Sequence, residues 1–235
     1  MKIKNIIFFG IIFILSVLLT GFSNWRNQQR LIKVHEVIFE SGNSKFLSFQ
    51  LINSLLQKGT NNFPKKIKDG LDLDTLELLL EENPYIYNAE VYYNLKGLLG
   101  VRIKEQTPEL KILSDSIFYY SNEGVKIPLS EKYNPELPSF IGKPNKNEIE
   151  DLLFLIMHFK EDDFFKNQLN TIRYELNSYY IKLHSFDFEV EFGSVKNIEE
   201  KIKKLKVFSA FQKSIKRKSN YKKISLKYNK QIVAS

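Results

Sequence analysis

The first regular pattern along the chain is an apolar run from Ile6 to Phe22, which contains no charged residue. As a helix that rises about 1.5 Å per residue, this run spans roughly 25 Å, and its extension to Trp25 brings the length to about 30 Å. That length matches the hydrocarbon core of a bilayer. The pattern therefore predicts a membrane-spanning helix.

We expect a single-pass protein of the inner (cytoplasmic) membrane, with a short cytoplasmic tail over residues 1–5 and a transmembrane anchor over 6–25. A cleaved signal peptide is the alternative, because Gly21-Phe22-Ser23 has the small-x-small pattern of a cleavage site. Both interpretations send residues 26–235 out of the cytoplasm, into the periplasm or beyond. The predicted membrane anchor consists of large apolar side chains: Ile6, Ile7, Phe8, Phe9, Ile11, Ile12, Phe13, Ile14, Leu15, Val17, Leu18, Leu19 and Phe22.

The next stretch has the pattern of a β-α-α-β-β unit. Residues 32–40 are rich in β-branched and aromatic side chains, which is typical of a strand, and residues 45–59 place leucines on one helical face. Asp74 as N-cap and Glu77 three residues later predict a capping box at the start of a second helix. Two alternating runs joined by a glycine-containing turn over 88–106 predict a hairpin.

From Leu110 the pattern changes to short strands interrupted by two helices. The first helix is capped by Asn147, three antiparallel strands follow it, and a second helix over 195–211 precedes a last strand. The sequence thus predicts an α+β protein. It has an N-terminal transmembrane helix, a linker and β-α-α-β-β domain over 26–109, and an antiparallel β-rich domain with two flanking helices over 110–235.

The chain ends on the stretch "YKKISLKYNKQIVAS", in which Ile224, Leu226 and Tyr228 alternate with polar residues, as in a half-buried strand. A last strand tends to lie at a sheet edge, where one row of N–H and C=O groups is unpaired. We predict that this edge accepts a partner strand by β-augmentation, with Tyr228 as the aromatic anchor and Lys227 as a charge contact. The alternative is that the apolar side chains only close the core. The predicted partner-binding residues are Ser225, Leu226, Lys227, Tyr228, Asn229 and Gln231.

The composition argues against a nucleic-acid partner and against any site that needs cysteine. The net charge is +8, but the chain is generally rich in lysine, as expected from an AT-rich genome, so we predict no nucleic-acid partner. The basic stretch 213–223 is the one segment where nucleic acid or anionic lipid remains an alternative to a solvated loop. The absence of cysteine excludes disulfides and thiolate sites.

Catalytic and metal-binding patterns are also missing from the sequence. His35, His158 and His184 are the only histidines, and none has a second histidine three or four residues away. The chain has no nucleophile elbow and no glycine loop that would cradle a phosphate. We therefore predict no enzymatic activity, no cofactor, no metal and no small-molecule substrate, which disfavours an exported enzyme.

Five stretches, in order, resemble the FtsQ/DivIB family of bacterial cell-division proteins. They are "LDLDTLELLLEENPYIYNAEVYYNLKGLLGVRIKEQTPELKI", "NEGVKIP", "LPSFIG", "EFGSVKNIEEKIKKL" and "YKKISLKYNKQIV". The first is similar to the second half of that family's POTRA domain, and the others are similar to segments of its β domain. In the last stretch, Lys227 stands where an arginine is common in the family.

The resemblance implies a non-enzymatic scaffold at the division septum that enables septal peptidoglycan synthesis. It implies binding of FtsB and FtsL, small coiled-coil division proteins, at the end of the β domain, and recruitment through the POTRA domain. The alternative is another POTRA-containing component, in secretion or outer-membrane assembly.

Overall fold

The computed structural model describes residues 2–28, 34–62, 72–95, 98–214, 221–228 and 231–235, with side chains undescribed at 2–7, 24–28 and 59–62. The chain forms two compact units, Met1–Glu105 and Gln106–Ser235.

Helix α1, Lys2–Gln28, contains the apolar run at the start of the first unit. None of the helices, as far as their residues are described, has both the length and the apolar character needed to cross a bilayer. The predictions of a transmembrane helix over 6–25, of a membrane partner and of a single-pass inner-membrane location are therefore wrong on this finding. The predicted anchor residues from Phe8 to Phe22 are exposed on this helix, and the side chains of Ile6 and Ile7 lie outside the described residues.

The rest of the first unit has the predicted element order β-α-α-β-β. Its elements are β1 (Val34–Phe39), α2 (Phe49–Asn62), α3 (Leu73–Glu81), β2 (Ile86–Tyr93) and β3 (Leu99–Glu105). The strands form a sheet of order β1-β3-β2, in which β1 is parallel and β2 antiparallel to β3. The assignment of this unit as a POTRA domain stays a prediction.

Helix α3 begins differently from the capping box that the sequence predicts. Asp72, rather than Asp74, is the N-cap, and its carboxylate accepts hydrogen bonds from the Thr75 N–H at 3.4 Å and the Thr75 hydroxyl at 2.6 Å. Glu77 instead accepts the backbone N–H of Val91 at 2.7 Å. The glutamate therefore ties the helix to strand β2 and does not cap its own helix.

The second unit is built on one large sheet. Its elements are β4 (Pro108–Leu113), β5 (Ile117–Ser121), β6 (Lys126–Pro128), β7 (Ser139–Ile141), α4 (Lys146–Glu161), β8 (Leu169–Glu175), β9 (Ser178–Leu183), β10 (Glu189–Gly193), α5 (Ile198–Ser214), β11 (Lys223–Ser225) and β12 (Val233–Ala234). The nine strands lie in the order β12-β11-β10-β9-β8-β7-β4-β5-β6.

This sheet is mixed, whereas the sequence predicts an antiparallel one. The pairs β4–β7, β7–β8 and β10–β11 are parallel. For the last two pairs the reason is that α4 connects β7 to β8 and α5 connects β10 to β11, and parallel neighbours need such a crossover, usually a helix. Between β4 and β7 the connection runs through β5 and β6 instead. The two helices predicted to flank the sheet therefore also connect two of its parallel pairs. The three consecutive strands β8, β9 and β10 are antiparallel, as predicted.

The core lies between the helices and one face of the sheet. Helix α4 buries Leu152, Leu155, Ile156 and Phe159, and α5 buries Ile198, Ile202 and Leu205, all in one cluster with inward side chains of the sheet. The N-cap of α4 is Asn145, not Asn147, because its side chain accepts the Glu148 N–H at 3.0 Å while the Glu148 carboxylate accepts the Asn145 N–H at 3.1 Å. The reciprocal Asn145–Glu148 bonds form a capping box at the start of α4.

Candidate partner-binding edge of the sheet

Strand β11 is not the edge of the sheet, contrary to the sequence prediction. It pairs in parallel with β10 on one side and in antiparallel with β12 on the other. The physical reason is that the chain folds back after β11, so that Ser225 pairs with Val233 and Ile224 with Ala234. The backbone of Lys223–Ser225 thus has a neighbour on both sides, and the last two-residue strand β12 forms the edge instead.

The hydrogen bonds of β12 show which of its groups face outward. Lys223 and Ser235 exchange two backbone hydrogen bonds, of 3.1 and 2.9 Å. In an antiparallel pair, residues whose backbone N–H and C=O groups bond to the neighbouring strand alternate with residues whose backbone groups point away from it. The backbone groups of Val233 and Ser235 therefore face β11. The N–H and C=O of Ala234, between them, face the open side. Among the described residues, no strand pairs with that side of β12.

The other predicted partner-binding residues fall into a buried and an exposed group. Ser225 and Leu226 are buried, and the Leu226 N–H donates to the carbonyl of Glu191 at 2.9 Å. Lys227, Tyr228 and Gln231 are exposed, with 52% of Tyr228 accessible. Asn229 lies outside the described residues.

A contact from helix α5 fixes the segment that carries the exposed tyrosine. Lys204 donates from Nζ to the backbone carbonyl of Tyr228 at 3.1 Å, and the same ammonium lies 3.4 Å from the carboxylate of Glu200. The backbone of Tyr228 is therefore held against α5 while its ring stays exposed. A fixed backbone lowers the entropic cost of using such a ring as a binding anchor.

Glu191 on β10 gathers the polar groups beside this edge. Its carboxylate lies 2.5 Å from Lys227 Nζ and 3.2 Å from Lys223 Nζ, and it accepts the Tyr180 hydroxyl at 3.3 Å. The pKa of Glu191 lies below its ordinary value, mainly because Lys227 donates a hydrogen bond to its carboxylate and also because Lys223 does so. The hydrogen bond to Glu191 in turn raises the pKa of Lys227. Two ammonium groups share one carboxylate, so this corner of the sheet keeps an excess of positive charge.

Gly193, at the end of β10, leaves room for the Lys227 stem. Its φ is +77°, a region that L side chains rarely adopt, and a Cβ there would lie 3.1 Å from Lys227 Cγ. The same Cβ would lie 3.7 Å from Nζ of Lys201, which donates to the Ser194 carbonyl at 2.7 Å. Burial lowers the pKa of Lys201.

The basic stretch 213–223 is described only in part, because residues 215–220 lie outside the described ranges. Lys213 Nζ lies over the rings of Phe164 and Phe186, at 4.7 and 5.3 Å from their centroids. Lys223 is 4.9 Å from the ring of Tyr180 as well as paired with Glu191. These two lysines therefore already have partners within the fold.

Sequence reasoning missed Glu191, Gly193 and Ala234 as parts of this edge. Glu191 belongs to the alternating acidic pattern in "FEVEFGS", which by itself predicts no more than a half-buried strand. The glycine that ends this strand is the signal that would have identified a close approach. Ala234 carries no side-chain signal, because only the backbone pairing makes it an edge residue.

The described part of the chain contains no cluster of three or more histidine or acidic residues that could hold a metal ion. His158 contacts its own helix, with Nδ1 lying 2.9 Å from the carbonyl of Phe154. His35 and His184 are exposed on strand β1 and just after β9, respectively.

Comparison with known proteins gives one family match. A search among curated proteins found nothing similar. The model of the family described as "FtsQ/DivIB, C-terminal related" matches residues 107–235, which coincide with the second compact unit from its second residue to its end. Because this match covers more than half of the chain, the protein belongs to the FtsQ/DivIB C-terminal related family.

Proposed function

We propose that this protein is a non-enzymatic scaffold of the bacterial division machinery, which binds a small partner of the FtsB/FtsL type at the β12 edge. Family membership suggests a role in cell division, and the family is generally a scaffold without enzymatic activity. The match covers the mixed-sheet unit, which favours this function over a secretion or outer-membrane assembly component. The observation that carries the binding mode is the outward-facing N–H and C=O of Ala234 on the last strand of the sheet.

In this proposal the partner adds a strand beside β12. The open row is short, and each backbone hydrogen bond contributes only about 1 kcal/mol net. An exposed aromatic anchor contributes about 2 kcal/mol or more when it becomes buried at an interface. Tyr228 should therefore supply more of the affinity than the backbone does, while Ala234 fixes the register of the added strand.

Charge selects the partner segment. Lys227 and Lys223 share the single carboxylate of Glu191, and Lys222 beside them is exposed. An acidic partner strand would therefore meet complementary charge, and a basic one would be repelled. Gln231, also exposed, lies close along the chain to β12 and can donate or accept hydrogen bonds to a partner side chain.

Two substitutions test the binding mode in the full chain, with a purified FtsB-type protein from the same cell as the probe. Tyr228→Ala should weaken binding about 30-fold, which corresponds to about 2 kcal/mol. Ala234→Pro removes only an outward N–H, which an edge strand tolerates, and should weaken binding about tenfold. Leu176→Ala is the control, because Leu176 is 83% exposed at the β8–β9 turn, away from the edge.

The melting temperature of each variant should stay within a few degrees of the wild-type value. Unchanged affinity in both Tyr228→Ala and Ala234→Pro would refute the binding mode. A large loss of stability in Tyr228→Ala would instead support the alternative in which this residue closes the core.

Depletion of the protein in cells should produce filaments without septa, and normal division after depletion would refute the division role itself.

A further inference from the structure

Helix α4 carries a second apolar row in addition to the one that faces the core. Ile149, Leu153 and Met157 follow one another at four-residue spacing on a face that the core does not cover, with Phe154 beside them. Phe154 is 41% and Met157 44% exposed. A helix on a protein surface normally has one apolar stripe and an otherwise polar outer face, so a second stripe indicates a contact surface.

The second row forms one side of a groove. The opposite side is the turn between β5 and β6, where Gly124 has a φ of +75° and a Cβ would lie 3.6 Å from Ile149 Cγ2 and 3.9 Å from Leu153 Cδ1. The turn therefore packs against the row at van der Waals distance and gives the groove a wall. Its volume is about 720 Å³, within the usual range for binding pockets.

The rim of this groove is acidic, although the chain as a whole is basic. Four glutamates and two lysines line it: Glu109, Glu123, Glu150, Glu161, Lys146 and Lys160. Lys160 already pairs with Glu109 at 2.6 Å. The net charge of the rim is thus opposite in sign to the +8 of the whole chain, and it favours a basic ligand locally.

Two features favour a helix as the occupant of this groove. The groove runs along the four-residue ridge of α4, and such ridges pack against the ridges of another helix. Met157 is the only methionine after the first residue, and a flexible, polarizable thioether is well suited to fit the apolar side chains of a bound segment. A second copy of this chain fits poorly, because a two-fold contact would set one acidic rim against another.

We propose that this groove binds an amphipathic helix of a protein partner, one that carries apolar anchors on one face and lysines or arginines beside them. The proposal does not depend on the function of the β12 edge. Strand β5 lies seven strands away from β12 in the sheet order, a separation of roughly 30 Å at the usual spacing between strands. Both surfaces can therefore be occupied at once, which would let one chain hold two different partners together.

The test measures fluorescence anisotropy of labelled peptides with the full chain. One probe is an amphipathic helical peptide of leucine, alanine and lysine, with leucines at i, i+4 and i+7, and the second replaces each lysine with glutamate. The lysine peptide should bind saturably and at least tenfold more tightly than the glutamate peptide. Met157→Lys should weaken the lysine peptide at least tenfold, because it removes an anchor and adds repulsion.

A charge-reversed variant separates the rim from the apolar row. Glu150→Lys combined with Glu161→Lys should reverse the preference, so that the glutamate peptide becomes the tighter ligand. Leu176→Lys is the matched control and should leave both affinities unchanged, since it makes the same kind of change at an exposed apolar residue outside the groove.

Three results would overturn the proposal. Equal binding of both peptides would exclude charge selection, and unchanged binding by Met157→Lys would exclude the groove as the site. A wild-type dimer that Met157→Lys converts to a monomer in light-scattering measurements would assign the groove to a second copy of the chain instead.

Discussion

The two ends of the nine-stranded sheet handle their open edges in opposite ways. At one end, the Ser121 N–H donates to the Val125 carbonyl at 2.9 Å. Backbone groups alternate in direction from there along β6, so those of Ile127 face β5 and those of Lys126 and Pro128 face outward. Proline has no N–H to offer, and an edge lysine disfavours pairing with another strand. At the other end, Ala234 turns a complete donor and acceptor outward.

This difference shows that an edge can be closed in one place and kept open in another within the same sheet. The β6 edge has a residue that cannot donate at an outward position, whereas the β12 edge has one that can. Natural sheets usually protect exposed edges. The proposed partner binding would account for this unprotected edge.

The largest expected effect comes from removing the open edge. Deletion of Gln231–Ser235 takes away β12 and with it the outward N–H and C=O of Ala234. Partner affinity should fall about hundredfold or more, because without β12 the partner loses its backbone hydrogen bonds and also the register that places it against Tyr228. Binding is measured with the same FtsB-type probe in the full-length background. Retained or tighter binding would mean that β12 covers β11 as a plug, and that β11 is the true acceptor strand.

Substitution of the glycine below Lys227 should have the next largest effect. Gly193→Ala puts a side chain at a φ of +77° and a Cβ 3.1 Å from Lys227 Cγ, which should lower the free energy of unfolding by about 1–2 kcal/mol. Urea denaturation measures it. Gly142→Ala, also at positive φ but with only a 3.7 Å contact to the Phe140 ring, controls for backbone strain alone, and an equal loss in both variants would show that the Lys227 contact is unimportant.

Removal of the carboxylate that holds the lysines should have a smaller effect. Glu191→Gln should lower the free energy of unfolding at pH 7 by about 1 kcal/mol, because the partly exposed lysine pairs are screened by solvent. The folded-state pKa of Glu191 is depressed below its ordinary 4.5, so its contribution is present above about pH 4.5 and is lost as the pH falls through the folded-state pKa. The difference between wild type and variant should therefore be constant from pH 6 to 8 and shrink below pH 4.5. A difference that grows on acidification would contradict this account.

The smallest effect on stability should come from opening the closed edge. Pro128→Val supplies an outward N–H at β6 and should change the free energy of unfolding by less than about 0.5 kcal/mol, while it increases concentration-dependent self-association. Sedimentation velocity measures the association. Leu129→Val, at the next position but without a new N–H, is the control, and a Pro128→Val variant that stays monomeric at every concentration would weaken the contrast between the two edges.

Local patterns in the sequence predicted the elements well. The alternation in "TIRYELN", "YYIKLHS" and "FEVEFGS" gives three consecutive antiparallel strands in the structure, since a half-buried strand needs that period. Helix starts were less accurate. Asp74 and Asn147 satisfy the cap pattern, but Asp72 and Asn145 cap the helices, because several acceptable cap residues lie within one turn of each other.

Long-range pairing was much harder to predict. Nothing in the alternation of Ile224, Leu226 and Tyr228 reveals that the chain reverses and pairs Val233 with Ser225. The parallel pairs β7–β8 and β10–β11, which α4 and α5 connect, depend likewise on which strands meet after each crossover. The N-terminal helix shows a third limit of prediction from sequence. Its uncharged apolar run predicts a membrane span, but no helix among the described residues is long and apolar enough to cross a membrane.

The central claim is that the outward N–H of Ala234 is open in the free protein and becomes paired when the partner binds. Amide hydrogen exchange followed by NMR measures this directly, with the neighbouring N–H groups of Val233 and Ser235 as internal references that already face β11. We expect exchange at Ala234 to be faster than at both neighbours in the free protein and to slow at least tenfold in the complex. Exchange at Ala234 that does not change when the FtsB-type partner is saturating would contradict the account.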